Sequence, residues 1–197
     1  MRLFVALRPP PVAVRHAAAA VDAVRAAYAG PRWVPAERWH LTLAFYGEVA
    51  ERDVDRTARR VGRAVAACRP MDLALAGAGS FERRALWLGV TGCAEGGDGA
   101  AAQELGSIAC LRALARALSR EPHPRAYRPH LTIARLRADT DPAAAGAAVA
   151  ALAGYAGPAW WATEVHLVHS QLGGSNGPVY DDLVTWTLPP ATAGGRP

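Results

Sequence analysis

The chain has 197 residues, of which 51% are hydrophobic and 20% are charged, a composition that is typical of a folded protein and excludes general disorder. Its 22 basic residues are all arginine and the net charge is +5, which favours a polyanionic partner because guanidinium binds phosphate through two hydrogen bonds. Cys68, Cys93 and Cys110 are isolated, which argues against a disulfide framework or a zinc knuckle. Without an uninterrupted run of about 20 apolar residues, we expect a cytoplasmic protein with no membrane helix.

The first half of the chain predicts a strand, a helix, another strand, another helix and a β-hairpin. Val21 and Val24 belong to an apolar stripe with helical spacing, and Gly30-Pro31 ends that helix. A turn around Ser80-Phe81-Glu82 joins the strands of the hairpin. The predicted ranges are a strand over 2–7, a helix over Val14–Tyr28, a strand over 39–46, a helix over 51–68, and strands over 73–78 and 85–90.

The second half begins with a glycine-rich stretch from Thr91 to Ala100. This stretch lacks the Gly-Lys-Ser/Thr ending of a nucleotide-binding loop, so we predict a surface linker. Later, Glu121-Pro122-His123-Pro124 ends a helix before the next strand. The predicted ranges are a helix over Leu105–Leu118, a strand from His130, a helix over 142–153, strands over 159–170 and 179–188 joined by a turn at Gly173–Gly177, and a flexible tail over 189–197.

The order of the predicted elements repeats in the two halves. Each half contains a strand with a histidine motif, a helix, a strand, a turn and a strand, which suggests an old internal duplication. Helices interleaved with hairpins predict an α+β fold of two pseudo-symmetric lobes, each with a mainly antiparallel sheet and flanking helices. We therefore interpret residues 1–188 as a single bilobal domain with a cleft between the lobes.

The most informative pattern is a five-residue motif that occurs twice. His40-Leu41-Thr42-Leu43-Ala44 returns as His130-Leu131-Thr132-Ile133-Ala134. Because side chains alternate along a strand, each copy is predicted to place histidine, threonine and alanine on one face and the larger apolar residues, with Phe45, on the core face. The small alanine leaves space for a ligand. Packing alone does not require histidine and threonine, so the two copies predict one shared site.

Two histidines and two threonines suit phosphodiester cleavage. Imidazole titrates near neutrality, so one ring can accept a proton while the other donates one. The hydroxyls of Thr42 and Thr132 can hold the oxygens of a phosphoryl group between the two rings. A metal site would add a third histidine, carboxylate or cysteine ligand, and none accompanies the motifs at a convincing spacing. We therefore expect no metal and no cofactor.

The two motifs resemble those of the two-histidine (2H) phosphoesterase superfamily. Within it, the chain is similar to the bacterial and archaeal RNA 2′,3′-cyclic phosphodiesterases, also called 2′-5′ RNA ligases, over most of residues 2–188. The stretches that carry this similarity are Arg2-Leu3-Phe4-Val5-Ala6, Trp33-Val34-Pro35, Phe45-Tyr46-Gly47-Glu48, Leu86-Trp87-Leu88-Gly89-Val90 and Arg128-Pro129-His130. The resemblance implies two motifs facing each other across a cleft and hydrolysis of a 2′,3′-cyclic phosphate to a 2′-phosphate. It also implies His40 as proton donor and His130 as proton acceptor.

Arg128 and Tyr46 are further candidates for substrate contact. Arg128 shares the face of His130 if the strand begins that early, and a solvated role is the alternative. Tyr46 can stack on a base at the mouth of the cleft or belong to the core. Arg135 falls on the opposite face by alternation, so a role for it depends on a bend at the end of the strand.

The resemblance implies that the partner is RNA with a 2′,3′-cyclic phosphate end, or a small cyclic nucleotide, and we expect a monomer. Two other functions stay open. The same histidines can catalyse the reverse reaction, 2′-5′ RNA ligation, because of microscopic reversibility. A non-catalytic RNA-binding protein is the other alternative, although the presence of both histidines and both threonines favours an enzyme.

Overall fold

The computed structural model describes residues 1–28, 30–81, 84–93, 100–120, 127–137, 140–171, 173 and 177–190, and the fold is α+β as predicted. The helices are α1 (Pro11–Ala27), α2 (Val54–Ala66), α3 (Ala100–Leu118) and α4 (Pro142–Leu152). The strands are β1 (Arg2–Leu7), β2 (Arg32–Trp33), β3 (Leu41–Glu48), β4 (Met71–Phe81), β5 (Ala85–Gly92), β6 (His130–Arg135), β7 (Trp160–Ala162), β8 (Glu164–Gln171) and β9 (Val179–Thr187).

The strands form one antiparallel sheet in the order β7-β4-β5-β6-β3-β1-β8-β9, and β2 pairs with β6. The first lobe contains β3, β1, β8 and β9, and the second lobe contains β6, β5, β4 and β7. The lobes meet where Leu41 of β3 pairs with Leu131 of β6. Each lobe includes a hairpin from the other half of the chain, because β4 and β5 join β6 while β8 and β9 join β1. The two halves of the sequence therefore interlock.

The helices pack against the sheet through apolar stripes. α1 buries Ala17, Val21 and Val24, which lie on one helical face and agree with the predicted stripe. α1 and α4 contact β4, α2 contacts β8 and β9, and α3 contacts β4 and β5. Leu41 and Leu131 are completely buried, so the pair that joins the lobes is anchored in the core.

Three predicted elements differ from the structure. The turn predicted around Ser80-Phe81-Glu82 begins too early, because Ser80 and Phe81 still belong to β4 and pair with β5. The single strand predicted over 159–170 is wrong, because the chain breaks at Thr163 into β7, which pairs with β4, and β8, which pairs with β1. No glycine or proline lies at this break, so the continuous apolar and β-branched sequence predicted a single strand. The helix predicted over 51–68 begins with a 3-10 turn at Glu51–Asp53 before α2.

Several sequence predictions concern residues outside the described part of the chain. These are most of the glycine-rich stretch after Thr91, the breaker with His123, the centre of the turn between Gly173 and Gly177, and the tail beyond residue 190. Among the described residues, no helix combines the length and the apolar character needed to cross a membrane.

Candidate active site

The two histidine motifs lie side by side where the lobes meet. In an antiparallel ladder, the pairing of Leu41 with Leu131 sets Thr42 across from His130, and the same register sets His40 across from Thr132. Because the two leucines point into the core, these four side chains lie on the opposite face, and all of them line one cleft. The histidines occupy diagonal corners, a position that separates the Cα atoms of strand residues by about 7–8 Å.

The two histidines make the same backbone hydrogen bond. His40 Nδ1 lies 2.7 Å from the carbonyl oxygen of Arg38, and His130 Nδ1 lies 2.8 Å from the carbonyl oxygen of Arg128. A carbonyl oxygen only accepts hydrogen bonds, so Nδ1 carries the hydrogen in both rings. Nε2 is then the nitrogen available to a ligand, and it accepts a proton in the neutral ring or donates one in the charged ring.

Burial favours the neutral form of both histidines. The pKa of His40 is lowered from 6.5 to about 4, mainly because the ring is removed from water. The guanidinium groups of Arg8 and Arg135 act in the same direction, and the hydrogen bond to the Arg38 carbonyl acts against it. Burial also lowers the pKa of His130, in the same direction as the nearby Arg135. Near pH 7 both imidazoles are therefore neutral, with a lone pair on Nε2.

Aromatic side chains hold each imidazole from the side. The ring of His40 lies 4.8 Å from Phe4 and 5.3 Å from Tyr180, the latter edge to face. The ring of His130 lies 4.7 Å from Phe81, also edge to face. These contacts and the carbonyl bonds fix the orientation of the rings, because each ring is held by its Nδ1 and by at least one aromatic face.

A β-bulge follows the threonine in both copies of the motif. Along β3 the register with β1 shifts at Leu43, and along β6 the register with β5 shifts at Ile133. The extra residue reverses the alternation of the side chains that follow. Ala44 and Ala134 are therefore buried in the core instead of lining the cleft, which corrects the prediction from simple alternation.

The same bulges bring Phe45 and Arg135 into the cleft. Phe45 was predicted on the core face, but its ring is 56% exposed and lines the cleft beside Thr42. Arg135 occupies the equivalent position after the second motif and also lines the cleft. The bend on which a role for Arg135 depended is thus present. The guanidinium of Arg2 lies 5.0 Å above the ring of Phe45.

The cleft is strongly basic. It encloses about 340 Å³, within the usual range for a small-molecule site. Four arginines line it, whereas its described lining contains no carboxylate: Arg2, Arg32, Arg38 and Arg135. Sequence reasoning considered Arg135 but missed a site role for the other three arginines, for Phe4 and for Tyr180. The alternation of β1 places Arg2 and Phe4 on one face, but nothing in the sequence shows that β1 lies next to β3.

The structure places the two other candidate residues outside the cleft. Tyr46 is buried, its hydroxyl donates to the carbonyl oxygen of Leu118, and Arg120 covers its ring. Of the two positions predicted for Tyr46, the structure therefore shows the one in the core. The guanidinium of Arg128 lies 4.8 Å from the ring of Trp87 and is not part of the cleft lining. Arg128 contributes instead its carbonyl group, which holds His130.

The side chains of this site do not form a metal-ligand set. Within the described ranges, no three histidine, cysteine or carboxylate residues come together in a way that could hold a metal ion. The cleft offers imidazole nitrogens, hydroxyl groups and guanidinium groups, a set that fits an anion with several oxygen atoms.

Known proteins with similar sequences point in the same direction. Two curated relatives are both called RNA 2′,3′-cyclic phosphodiesterase. The one from Geobacillus stearothermophilus is 36% identical over 110 residues, which are 52% of this chain and 32% of the relative. The one from Thermotoga maritima is 32% identical over 94 residues, 46% of this chain and 50% of the relative. The matched segments thus span half or less of each relative.

Solved structures share the fold over nearly the whole chain. A crystal structure from Thermus thermophilus is 26% identical with a TM-score of 0.64, covering 98% of this chain and all of that one. Escherichia coli LigT complexed with NADP+ is 25% identical with a TM-score of 0.63, covering 95% and 96%. A family model described as the 2′-5′ RNA ligase superfamily matches residues 10–174, so the chain belongs to that superfamily.

Proposed function

We propose that this protein hydrolyses the 2′,3′-cyclic phosphate at the end of an RNA, or in a small cyclic nucleotide, and leaves a 2′-phosphate. The observation that carries the proposal is the diagonal arrangement of His40 and His130, whose Nε2 atoms are both available to one ligand in the cleft. The name of the two curated relatives supports the same reaction.

The reaction needs one proton acceptor and one proton donor. In the proposed assignment, neutral His130 takes a proton from water as the water oxygen attacks phosphorus. The bond from phosphorus to the ribose 3′ oxygen breaks, and protonated His40 donates its Nε2 proton to that oxygen. The 2′ oxygen keeps the phosphate. Diagonal corners suit this chemistry because attacking and leaving oxygens lie on opposite sides of phosphorus.

The protonated state of His40 depends on the bound substrate. Its pKa of about 4 reflects burial and neighbouring guanidinium groups. An anionic phosphodiester next to the ring favours the charged form and raises the pKa. Substrate binding therefore takes up a proton, and this proton is the one that His40 later donates.

The remaining cleft residues position the substrate. Thr42 and Thr132 flank the histidines and donate their hydroxyl hydrogens to the non-bridging phosphate oxygens. Arg135 lines the cleft together with both imidazoles, so its guanidinium is placed to pair with the phosphate charge. The exposed ring of Phe45 offers a flat surface on which the terminal base can stack.

We also propose that the reaction needs no metal ion. Protonation by imidazole and hydrogen bonds from hydroxyl and guanidinium groups supply the charge stabilisation that a divalent ion would otherwise give.

Hydrolysis of a uridine 2′,3′-cyclic phosphate in excess chelator tests this function. Phosphorus NMR should show a 2′-phosphate as the product, at an undiminished rate. A 3′-phosphate as the product would contradict the assignment of the leaving oxygen. Activity that disappears with chelator and returns with a divalent ion would contradict metal independence. Thr42→Ala with intact activity would remove that hydroxyl from the site.

A further inference from the structure

A second basic depression lies apart from the cleft. It encloses about 370 Å³, and its lining includes three arginines of α2 and one arginine that follows α3. We call it the arginine pocket, after Arg56, Arg60, Arg63 and Arg120. Its volume is similar to that of the cleft. The first three arginines are four and three residues apart, so they share one face of α2.

The acidic residues of this pocket pair with only one of its arginines among the described residues, Arg56. Asp53 lies 3.1 Å from Arg56, and Glu48 lies 3.6 Å from the amino group of Met1. Within the described part of the chain, the charges of Arg60 and Arg63 are not matched by a carboxylate. Three guanidinium groups or more in one depression attract a multiply charged anion.

Part of the pocket is held rigidly. Arg60 donates to the carbonyl oxygen of Ser119 at 2.5 Å, and Arg120 donates to the hydroxyl oxygen of Thr57 at 3.2 Å. These bonds use one nitrogen of each guanidinium, so the other nitrogens of a fixed fork are available to phosphate oxygens. A preorganised fork loses little entropy when it binds.

The pocket recognises phosphate but offers nothing to a base. The nearby ring of Tyr46 is not part of the pocket lining, because it is buried and covered by Arg120, whose Cζ lies 4.8 Å from the ring centre. The rest of the described lining consists of charged, threonine and small apolar side chains. A ligand held here is therefore bound through its phosphates, independently of its bases, as a nucleic-acid backbone is.

Arg2 connects the arginine pocket with the cleft. It lines the cleft above Phe45, and its partner in the sheet register is Glu48, which lines the pocket. Thr42 in the cleft and Glu48 are six residues apart on β3, a distance of roughly 20 Å in a strand. A distance of this size suits several nucleotides of a single strand.

We infer that the arginine pocket binds the backbone of an RNA whose 3′-terminal nucleotide occupies the cleft. This inference rests on the proposed function, because it takes the cleft as the place of the RNA end. Its consequence is a preference for oligonucleotides over mononucleotides. A dinucleotide is too short to reach from Thr42 to the pocket, so the pocket contributes only to longer chains.

Binding rather than turnover tests the inference, so failure of the hydrolysis proposal would not obscure the result. The probe is a fluorescein-labelled dodecauridylate with a 2′-phosphate end, measured by fluorescence anisotropy over a range of salt concentrations. Arg63→Glu changes an exposed pocket residue without a described bond, and Arg15→Glu makes the same charge change on the exposed side of α1. Thermal unfolding checks that both variants fold.

Arg63→Glu should weaken binding of the dodecamer about fivefold or more at low salt and reduce the salt slope by about 0.7 for each lost phosphate contact. The same change should alter binding of a labelled diuridylate with a 2′-phosphate end by less than the dodecamer. Arg15→Glu should have a much smaller effect on the dodecamer. Equal effects of the two variants would overturn the inference, as would wild-type affinity that does not increase with RNA length. Binding of inorganic phosphate that depends on Arg63, without any effect of RNA length, would identify a small-anion site instead.

Discussion

The buried imidazole of His40 should make the protein less stable in acid, and His40→Gln should remove this effect. The pKa of His40 is 6.5 when the chain is unfolded and about 4 in the folded cleft. Above pH 6.5 the ring is neutral in both states and contributes no pH dependence. As the pH falls below 6.5, the unfolded state binds a proton that the folded state does not, so the folded state loses stability until the pH approaches 4.

The size of this effect follows from the two pKa values. The fully developed difference corresponds to about 3 kcal/mol, and at pH 5 it amounts to about 2 kcal/mol of lost unfolding free energy. At pH 7 the same contribution is nearly zero. His40→Gln keeps a polar side chain of similar size but does not titrate. The difference in unfolding free energy between pH 7 and pH 5 should therefore be about 2 kcal/mol smaller in the variant than in the wild type.

Urea unfolding followed by circular dichroism at pH 7 and pH 5 measures this difference. His16→Gln, on the exposed side of α1, reports any general effect of losing a histidine. An identical pH dependence in wild type and His40→Gln would mean that burial does not perturb His40, and it would contradict the neutral state of this imidazole at pH 5.

Four further variants test the packing of the fold and two other residues of the cleft. A Cβ at Gly79 would overlap the indole of Trp87, so Gly79→Ala should cost about 1–3 kcal/mol of stability in urea unfolding, whereas Gly146→Ala, with open space around it, should stabilise α4. Equal stability changes in the two variants would contradict this packing. Arg135→Gln should lower kcat/KM for a cyclic nucleotide at least tenfold because a charged hydrogen bond to phosphate is lost, and an unchanged kcat/KM would place that side chain outside the reaction. One neutral and one protonated histidine predict a bell-shaped pH–rate profile. Thr132→Ala should reduce kcat without changing this shape, since both titrating groups remain, and loss of one limb of the profile would contradict a purely positioning role.

The sequence was sufficient to predict most elements and the residues that face one another in the cleft. Apolar periodicity indicated the helices, and strand alternation placed His40 and Thr42 on the face opposite Leu41. The repetition of the motif indicated a shared site before any pairing of strands was visible. Alternation is local, so it holds as long as the strand stays regular.

The parts that could not be predicted depend on pairing between distant strands. The bulges at Leu43 and Ile133 depend on the register with β1 and β5. The burial of Ala44 and the exposure of Phe45 therefore could not be predicted from the motif alone. The aromatic contacts of His40 join β1, β3 and β9, and the break at Thr163 separates two strands with continuous β-forming sequence. Tertiary pairing decided these features.

Kinetics of His40→Ala and His130→Ala on two substrates test the central claim most directly. Each variant should lose about 10²- to 10⁴-fold in rate on a uridine 2′,3′-cyclic phosphate, the usual contribution of a positioned acid or base. On an aryl phosphodiester of uridine, whose leaving group needs no proton, His40→Ala should recover much more of its lost rate than His130→Ala does. Equal recovery in both variants would contradict the assigned donor and acceptor, and full activity of either variant would remove that histidine from the mechanism.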